Sequence, residues 1–448
     1  LAKFRWKKYK INSPYLYLLS FVIGIIFGTD KLPHLFEGLV FVSIGGVIVY
    51  SALRNDSEKI FQLLPYIIYS ELIVKGNCRE YIPYLFSPYL LIGVFVLLIS
   101  RSGGKVKIHS RAFVLLLLFC IIEIADSSRA MNADSARFLV VYSLSLATLV
   151  LWSSFTIIKP VIINEFLNNV KFASVFLCGV IMVAHFEGKI DYSLQSSFSS
   201  TNGLEPVQIS GYLGFSSAIF FLAVMRDEES RNRLLNIVLL SVNTIMMLLS
   251  FSRGGLYFLS IFILMYLLFN FKRAKNYALL LLLIPVAIGI YYYVTVSTNG
   301  VIEQRYGQEG TSGRSELAHA GLILLETNPI AGVGTGNFGV EIAKQNLFAV
   351  SSGAHNEFVR VAAEHGILGL ITYCGFFILL LFEILNRKSI QREYALYFLV
   401  FFILITIHNG MKISLQPILV ALAVGTPSLQ RVKKKFNVFA EKKLAVEP

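Results

Sequence analysis

Charge is in short supply in this chain. Asp, Glu, Lys and Arg together make up 15% of its 448 residues, where a soluble domain of this size carries about 25%. That shortage excludes an ordinary soluble enzyme. Cysteine is scarcer still: Cys78, Cys120, Cys178 and Cys374 are the only four. They show no metal-ligand spacing and three fall within apolar runs, so they read as packing thiols, with no disulfide and no zinc site. Paired acids that would form an obvious metal site are also missing from the outer face. Glu303, Glu309 and Glu316 are scattered through one loop, so chemistry independent of metal is expected. Internal repetition, the sequence hint of many transporters, is not apparent.

What the chain does have is hydrophobic length. Apolar residues form 55% of it, and the mean hydropathy is +0.66. Fourteen apolar runs follow one another near 15–29, 35–53, 60–75, 84–100, 112–126, 138–158, 172–186, 207–225, 234–251, 255–270, 277–297, 357–385, 394–407 and 413–425. A bilayer asks for roughly 20 residues per span. Runs 60–75 and 413–425 are the least span-like, so the reading is an all-α polytopic membrane protein with 12–14 transmembrane helices. It would be a single transmembrane domain, 1–448, with no soluble domain. The net charge of +13 does not point to nucleic acid. Most of the Lys and Arg fall in alternate loops, as the positive-inside rule requires of cytoplasmic segments. Both termini are then cytoplasmic, with Arg431 and Lys433 to Lys435 as a flank. Lys3, Arg5, Lys7 and Lys8 precede the first run, but no small-x-small site follows Gly28. That run is expected to be an uncleaved span.

Two outer loops are longer than the rest, 187–206 and 298–356. The second is the longest polar stretch in the chain and is expected to carry part of an active site. Gly310 to Gly313 reads as a turn. Arg314 to Thr327 reads as an amphipathic helix with Leu317, Gly321 and Leu324 on one face. It is expected to lie on the outer membrane surface or to cap a cavity. Asn328-Pro329 stops it. Gly334-x-Gly336-x-x-Gly339 formally fits a dinucleotide fingerprint, but no strand of a βαβ unit precedes it, so that reading fails. A tight, closely approached backbone over Gly332–Gly339 is expected instead.

Three residues on this side have the chemistry to act. Arg253, in Phe251-Ser252-Arg253-Gly254-Gly255, is either a snorkelling helix-end arginine or a phosphate ligand, since guanidinium offers a charged fork of donors. In the second case the two glycines after it would let a ligand approach. Arg314 is either solvated or a second anion ligand at a helix N-terminus. His355 opens the pattern His355-Asn356-x9-Gly366-x-x-Gly369, just before the long run 357–385. Helix polarity there disfavours the imidazolium and suits the ring as a base. Asn356 is a candidate to orient the ring or a sugar. Arg360 and Glu364, spaced i,i+4, read as a supporting pair behind the site. His365, His319 and His408 are weaker candidates.

These segments together resemble the O-antigen ligase and polymerase family of bacterial surface-polysaccharide enzymes. The resemblance rests on Phe251–Gly255, on Gly313-Arg314-Ser315 through Asn328-Pro329 and Gly332-x-Gly334-x-Gly336-Asn337-Phe338, and on the His355 motif. It covers roughly residues 245–385. It implies glycosyl transfer, without cofactor, from an undecaprenyl-diphosphate-linked glycan to a sugar hydroxyl. His355 would act as base, with Arg253 and Arg314 on the diphosphate. The implied location is the bacterial inner membrane with the site facing outward. The implied partners are the lipid-linked oligosaccharide, an acceptor glycolipid and the bilayer, with room for other polysaccharide assembly proteins and none for nucleic acid. A polymerase and a ligase acting on lipid A-core share this chemistry; fourteen spans lean towards the polymerase. A lipid-linked oligosaccharide flippase is the rival from another class. Thr201 to Pro206 departs from the family's pattern before the eighth span, and no role is expected there.

Overall fold

A computed structural model of the chain describes residues 14–29, 32–101, 110–188, 190, 192, 198–226, 230–270, 274–307, 313–348, 352–387, 390–410 and 413–425. Among them there are helices and loops but no strand. The α-helices run α1 (Pro14–Gly28), α2 (His34–Leu53), α3 (Ser57–Asn77), α4 (Phe86–Arg101), α5 (Ala112–Asp126), α6 (Ala133–Phe155), α7 (Pro160–Phe186), α8 (Pro206–Arg226), α9 (Ser230–Leu249), α10 (Gly254–Asn270), α11 (Ala274–Ser297), α12 (Val301–Gly307), α13 (Arg314–Thr327), α14 (Phe338–Lys344), α15 (Glu357–Leu385), α16 (Ile390–Asn409) and α17 (Leu415–Gly425).

Each apolar run of the sequence lies within or along one helix among α1–α11 and α15–α17. Seven of the described helices (α2, α6, α7, α8, α9, α11 and α15) are long and apolar enough to cross a membrane by length and composition. Helices α1, α4, α10 and α17 are apolar but shorter. The chain is an all-α polytopic membrane protein. Many of the basic segments that set the expected orientation lie outside the described residues, in 1–13, 102–109, 227–229, 271–273, 388–389 and 426–448. So do Glu309 and most of the turn expected at 310–313.

The chain forms two compact units. The first comprises Leu1–Phe41, Leu72–Tyr81 and Leu167–Gln308. Its axis is α8, buried along most of its length. Without a hydrophobic drive between helices in lipid, close packing and polar contacts hold them together. Asn243 of α9 donates to Leu213 O and to Ser217 Oγ of α8, both at 2.8 Å. Helix α11 is the opposite case: Leu281, Leu282, Ile284 and Ile288 are exposed, with Tyr291, Tyr292 and Tyr293 exposed near its end. An apolar face closed by a tyrosine cluster suits lipid and its interface.

The second unit comprises Val42–Glu71, Ile82–Phe166 and Glu309–Pro448. Helix α17 is buried at every position. Glu71, 1% exposed, accepts hydrogen bonds from Tyr142 Oη, Ser414 N and Ser414 Oγ, each at 3.1 Å. Helix α13 forms where the sequence spacing predicts it. Leu317, Ala320 and Leu324 pack on Phe338, Ile342, Ala354 and Ala363. That face is therefore covered by protein and not laid on a membrane surface. Full burial of each leucine is worth about 1.5–3 kcal/mol.

Candidate functional site

The site in the second unit is built on a break in α15. Gly366 has φ 60° and ψ −154°, a backbone region open essentially to glycine alone. The sequence treats 357–385 as one span. The structure divides it there, because a second segment runs into the break. Ile367 N donates to Pro329 O at 2.8 Å, and Val333 N and Gly334 N donate to Ala363 O and Glu364 O at 2.9 and 2.8 Å. The segment after α13 thus takes up backbone groups that the break frees, as broken helices at membrane depth require. A Cβ on Gly366 would stand 2.5 Å from Ile330 C, and one on Gly332 would stand 2.3 Å from Glu364 C. The Asn-Pro, Gly-x-Gly and His-Asn-x9-Gly patterns are therefore parts of one joint.

Side chains from the turn between α5 and α6 lock this joint. Arg129 donates to Gly332 O at 3.0 Å and to Ala331 O at 2.7 Å, and it pairs with Asp126 at 2.6 Å. Asn337, fully buried, accepts from Met131 N at 2.7 Å and donates to Arg129 O and Val333 O. Thr335 Oγ1 donates to Glu123 O at 2.7 Å. The tight glycine loop expected from the sequence is present, and its close neighbours are protein backbone.

Behind the loop lies a buried ionic cluster. Arg360 donates to Glu357 at 2.9 Å and to Glu123 at 2.7 Å, and also bonds Glu364. Glu364 accepts from Phe338 N at 3.1 Å, and His365 Nδ1 lies 2.7 Å from Asp126 Oδ2. The pair Arg360–Glu364 read from sequence is real, but Glu123 and Glu357 complete it. Charges buried this deeply are tolerated only when paired and hydrogen-bonded.

A cavity of about 480 Å³ opens against this cluster. His355, Asn356, Glu357, Arg360 and Glu364 line it, with Asn132, Asp134, Ser135 and Phe138 on another wall. His355 holds φ 52°, a left-handed conformation in which histidine is enriched among non-glycine residues. Asn356 is the N-cap of α15: its Oδ1 accepts from Phe358 N at 3.0 Å. Its carbonyl therefore caps the helix, where the sequence suggested a role orienting the ring or a sugar.

Arg314 begins α13 but does not line that cavity. Its Nη1 lies 2.6 Å from His408 Nδ1. A guanidinium can only donate, so Nδ1 accepts and the His408 ring is neutral with its proton on Nε2. His355 is close enough to His408 for the two rings to interact electrostatically.

Arg253 belongs to the first unit, between α9 and α10. It donates to Arg305 O at 3.0 Å, while Tyr306 donates to Ser252 O at 3.3 Å. Arg305 is thereby brought beside Arg253. Its own burial and the Arg253 charge hold the Arg305 guanidinium below its ordinary pKa. Two half-buried cations this close favour an anion between them. Of the glycines after Arg253, Gly255 serves packing: a Cβ there would stand 2.2 Å from Ser210 O. Its close approach is to α8, not to a ligand as the sequence suggested.

Sequence reasoning missed Arg305, Tyr306 and the whole 123–138 segment. Glu123 was the available signal, since an acid inside an apolar run marks a functional or paired position. Among the described residues no group of three or more His, Cys, Asp and Glu is placed to hold a metal ion. In comparisons with known proteins, residues 235–374 match the family model described as O-antigen ligase. No curated protein matches the chain. The matched stretch contains Arg253, Arg305, Arg314, the glycine loop, His355 and Gly366.

Proposed function

The chain belongs, through residues 235–374, to the O-antigen ligase and polymerase family, and from that premise we propose a membrane glycosyltransferase that uses an undecaprenyl-diphosphate-linked glycan. The observation that carries the reading is His355 on the wall of a cavity beside a broken helix. The acceptor sugar hydroxyl gives its proton to His355 as its oxygen attacks the donor's anomeric carbon. The bond from that carbon to the diphosphate oxygen breaks, and its electron pair leaves on undecaprenyl diphosphate. By the family resemblance Arg253 in the first unit and Arg314 in the second are the candidate diphosphate ligands, and a guanidinium on the diphosphate would offset the growing charge. With guanidinium groups meeting that charge, no step calls for a metal. Arg360 and Glu364 hold the start of α15, which follows directly on His355 and Asn356.

We read the chain as a surface-polysaccharide polymerase, acting in the bacterial inner membrane with the outer loop 298–356 facing away from the cytoplasm. That choice rests on the fourteen apolar runs read from the sequence. The family description favours the second reading, a ligase that transfers the finished glycan to lipid A-core by the same chemistry. In a host deleted for this chain, His355→Ala should accumulate in the membrane like wild type yet restore no polysaccharide. Full restoration by the variant would remove His355 as the base and reopen the flippase reading.

A further inference from the structure

The described wall of the cavity beside His355 carries more carboxylates than guanidinium groups. Among the described residues on its wall, the one arginine is Arg360, and that guanidinium is already committed to Glu123, Glu357 and Glu364. Two of those carboxylates, Glu357 and Glu364, line the same cavity, and Asp134 adds a third, exposed one. Among the described residues, a diphosphate entering here would meet these carboxylates with no uncommitted arginine on the wall to offset them. A neutral, polyhydroxylated group would fare differently. Carboxylates and serine hydroxyls accept from sugar hydroxyls, and a flat apolar ring can pack against the C–H face of a sugar. Phe138 provides such a ring, half-buried and braced by Tyr84 and Tyr142 at ring-centre distances of 5.8 and 4.8 Å. The volume of about 480 Å³ falls within the ~300–1,000 Å³ of small-ligand pockets.

We infer that this cavity is the acceptor subsite: the start of α6, at Asp134, Ser135 and Phe138, holds the acceptor sugar so that its hydroxyl faces His355. The inference rests on the reading of the chain as a glycosyltransferase. It assigns a binding role to a segment that lies outside the matched residues 235–374 and that the sequence did not single out. The shared chemistry is an uncharged sugar with free hydroxyls. Its source is the next repeat unit in a polymerase, or the core oligosaccharide in a ligase.

The test separates sugar binding from turnover. The full chain in lipid nanodiscs is titrated, by saturation-transfer NMR, with two soluble probes. One is the repeat-unit oligosaccharide freed from its lipid diphosphate by mild acid; the other is the deacylated core oligosaccharide. Ser135→Phe, which fills the cavity, should weaken binding of whichever probe binds by tenfold or more. Asp134→Asn should weaken it severalfold. Both positions are at the solvent-accessible start of α6, and thermal unfolding at the wild-type temperature verifies each variant. Undecaprenyl diphosphate should bind both variants within twofold of wild type. Repeat-unit binding would assign the polymerase acceptor, and core binding the ligase acceptor. The subsite is overturned if neither probe binds wild type, if both variants bind like wild type, or if undecaprenyl diphosphate displaces the sugar. Binding that depends on Ser135 together with undiminished transfer by His355→Ala would keep the subsite and sink the base assignment.

Discussion

His355 and Arg314 illustrate what single side chains contribute here. Arg314 donates to His408 Nδ1 and so fixes that ring as neutral. A neutral ring next to His355 does not add a second full charge against the proton that His355 would accept in the proposed reaction. Replacing His355 with alanine should lower transfer at least ~100-fold, the scale of general-base catalysis, with donor binding retained; a loss of donor binding alone would instead make it a substrate ligand. In the first unit, Arg253 and Arg305 lie together with Arg305 depressed below its ordinary pKa. Bound diphosphate would relieve that repulsion. Arg305→Ala should therefore raise the donor KM about 10-fold or more, the loss of one charged hydrogen bond, with kcat much less changed. An unaltered KM would show that Arg305 only braces the turn at Ser252. Arg253 and Arg314 were legible in the sequence because each follows or precedes glycine at a helix end. Arg305 was not, because nothing local distinguishes it from any loop arginine.

At the scale of elements, the broken α15 is the decisive piece. Its two halves and the 328–334 segment exchange backbone hydrogen bonds, and a side chain at Gly366 has no room. Gly366→Ala should cost about 3 kcal/mol or more, from backbone strain and overpacking together. Gly289→Ala, with open space around its Cβ, should be near neutral; equal thermal stability of the two variants would contradict the account. Arg360→Leu would leave Glu123, Glu357 and Glu364 buried without their cation. A loss of about 3–5 kcal/mol is expected, read as a lower unfolding temperature in detergent. Helix positions were legible because apolar length and turn residues are local signals; α13 begins and ends where spacing and Asn328-Pro329 indicate. The break was not. Its cause is a backbone crossing from residues more than thirty positions earlier, and Gly366 looks locally like any tolerated helix glycine. The seven-residue helices α12 and α14 were also missed, being too short to show a period.

The whole molecule is a helical membrane protein, and in its second unit the described polar side chains around His355 come from the late loop, the start of α15 and the turn between α5 and α6. Composition alone dictated the class, since only helices or closed barrels satisfy the backbone in lipid. It could not reveal Arg360 bonding Glu123, partners 237 residues apart, because the sequence offers no register between distant helices. At this scale the proposed chemistry also predicts that excess EDTA leaves the transfer rate within twofold of its untreated value, since arginines meet the diphosphate charge. A collapse in rate restored by Mg²⁺ would contradict that part of the mechanism. The most direct measurement incubates the purified protein with a lipid-diphosphate-linked repeat unit as the sole substrate and resolves the glycans by size. The account predicts a ladder of longer lipid-linked glycans with wild type and none with His355→Ala. No elongation by active protein, and no transfer when lipid A-core is then supplied, would contradict it.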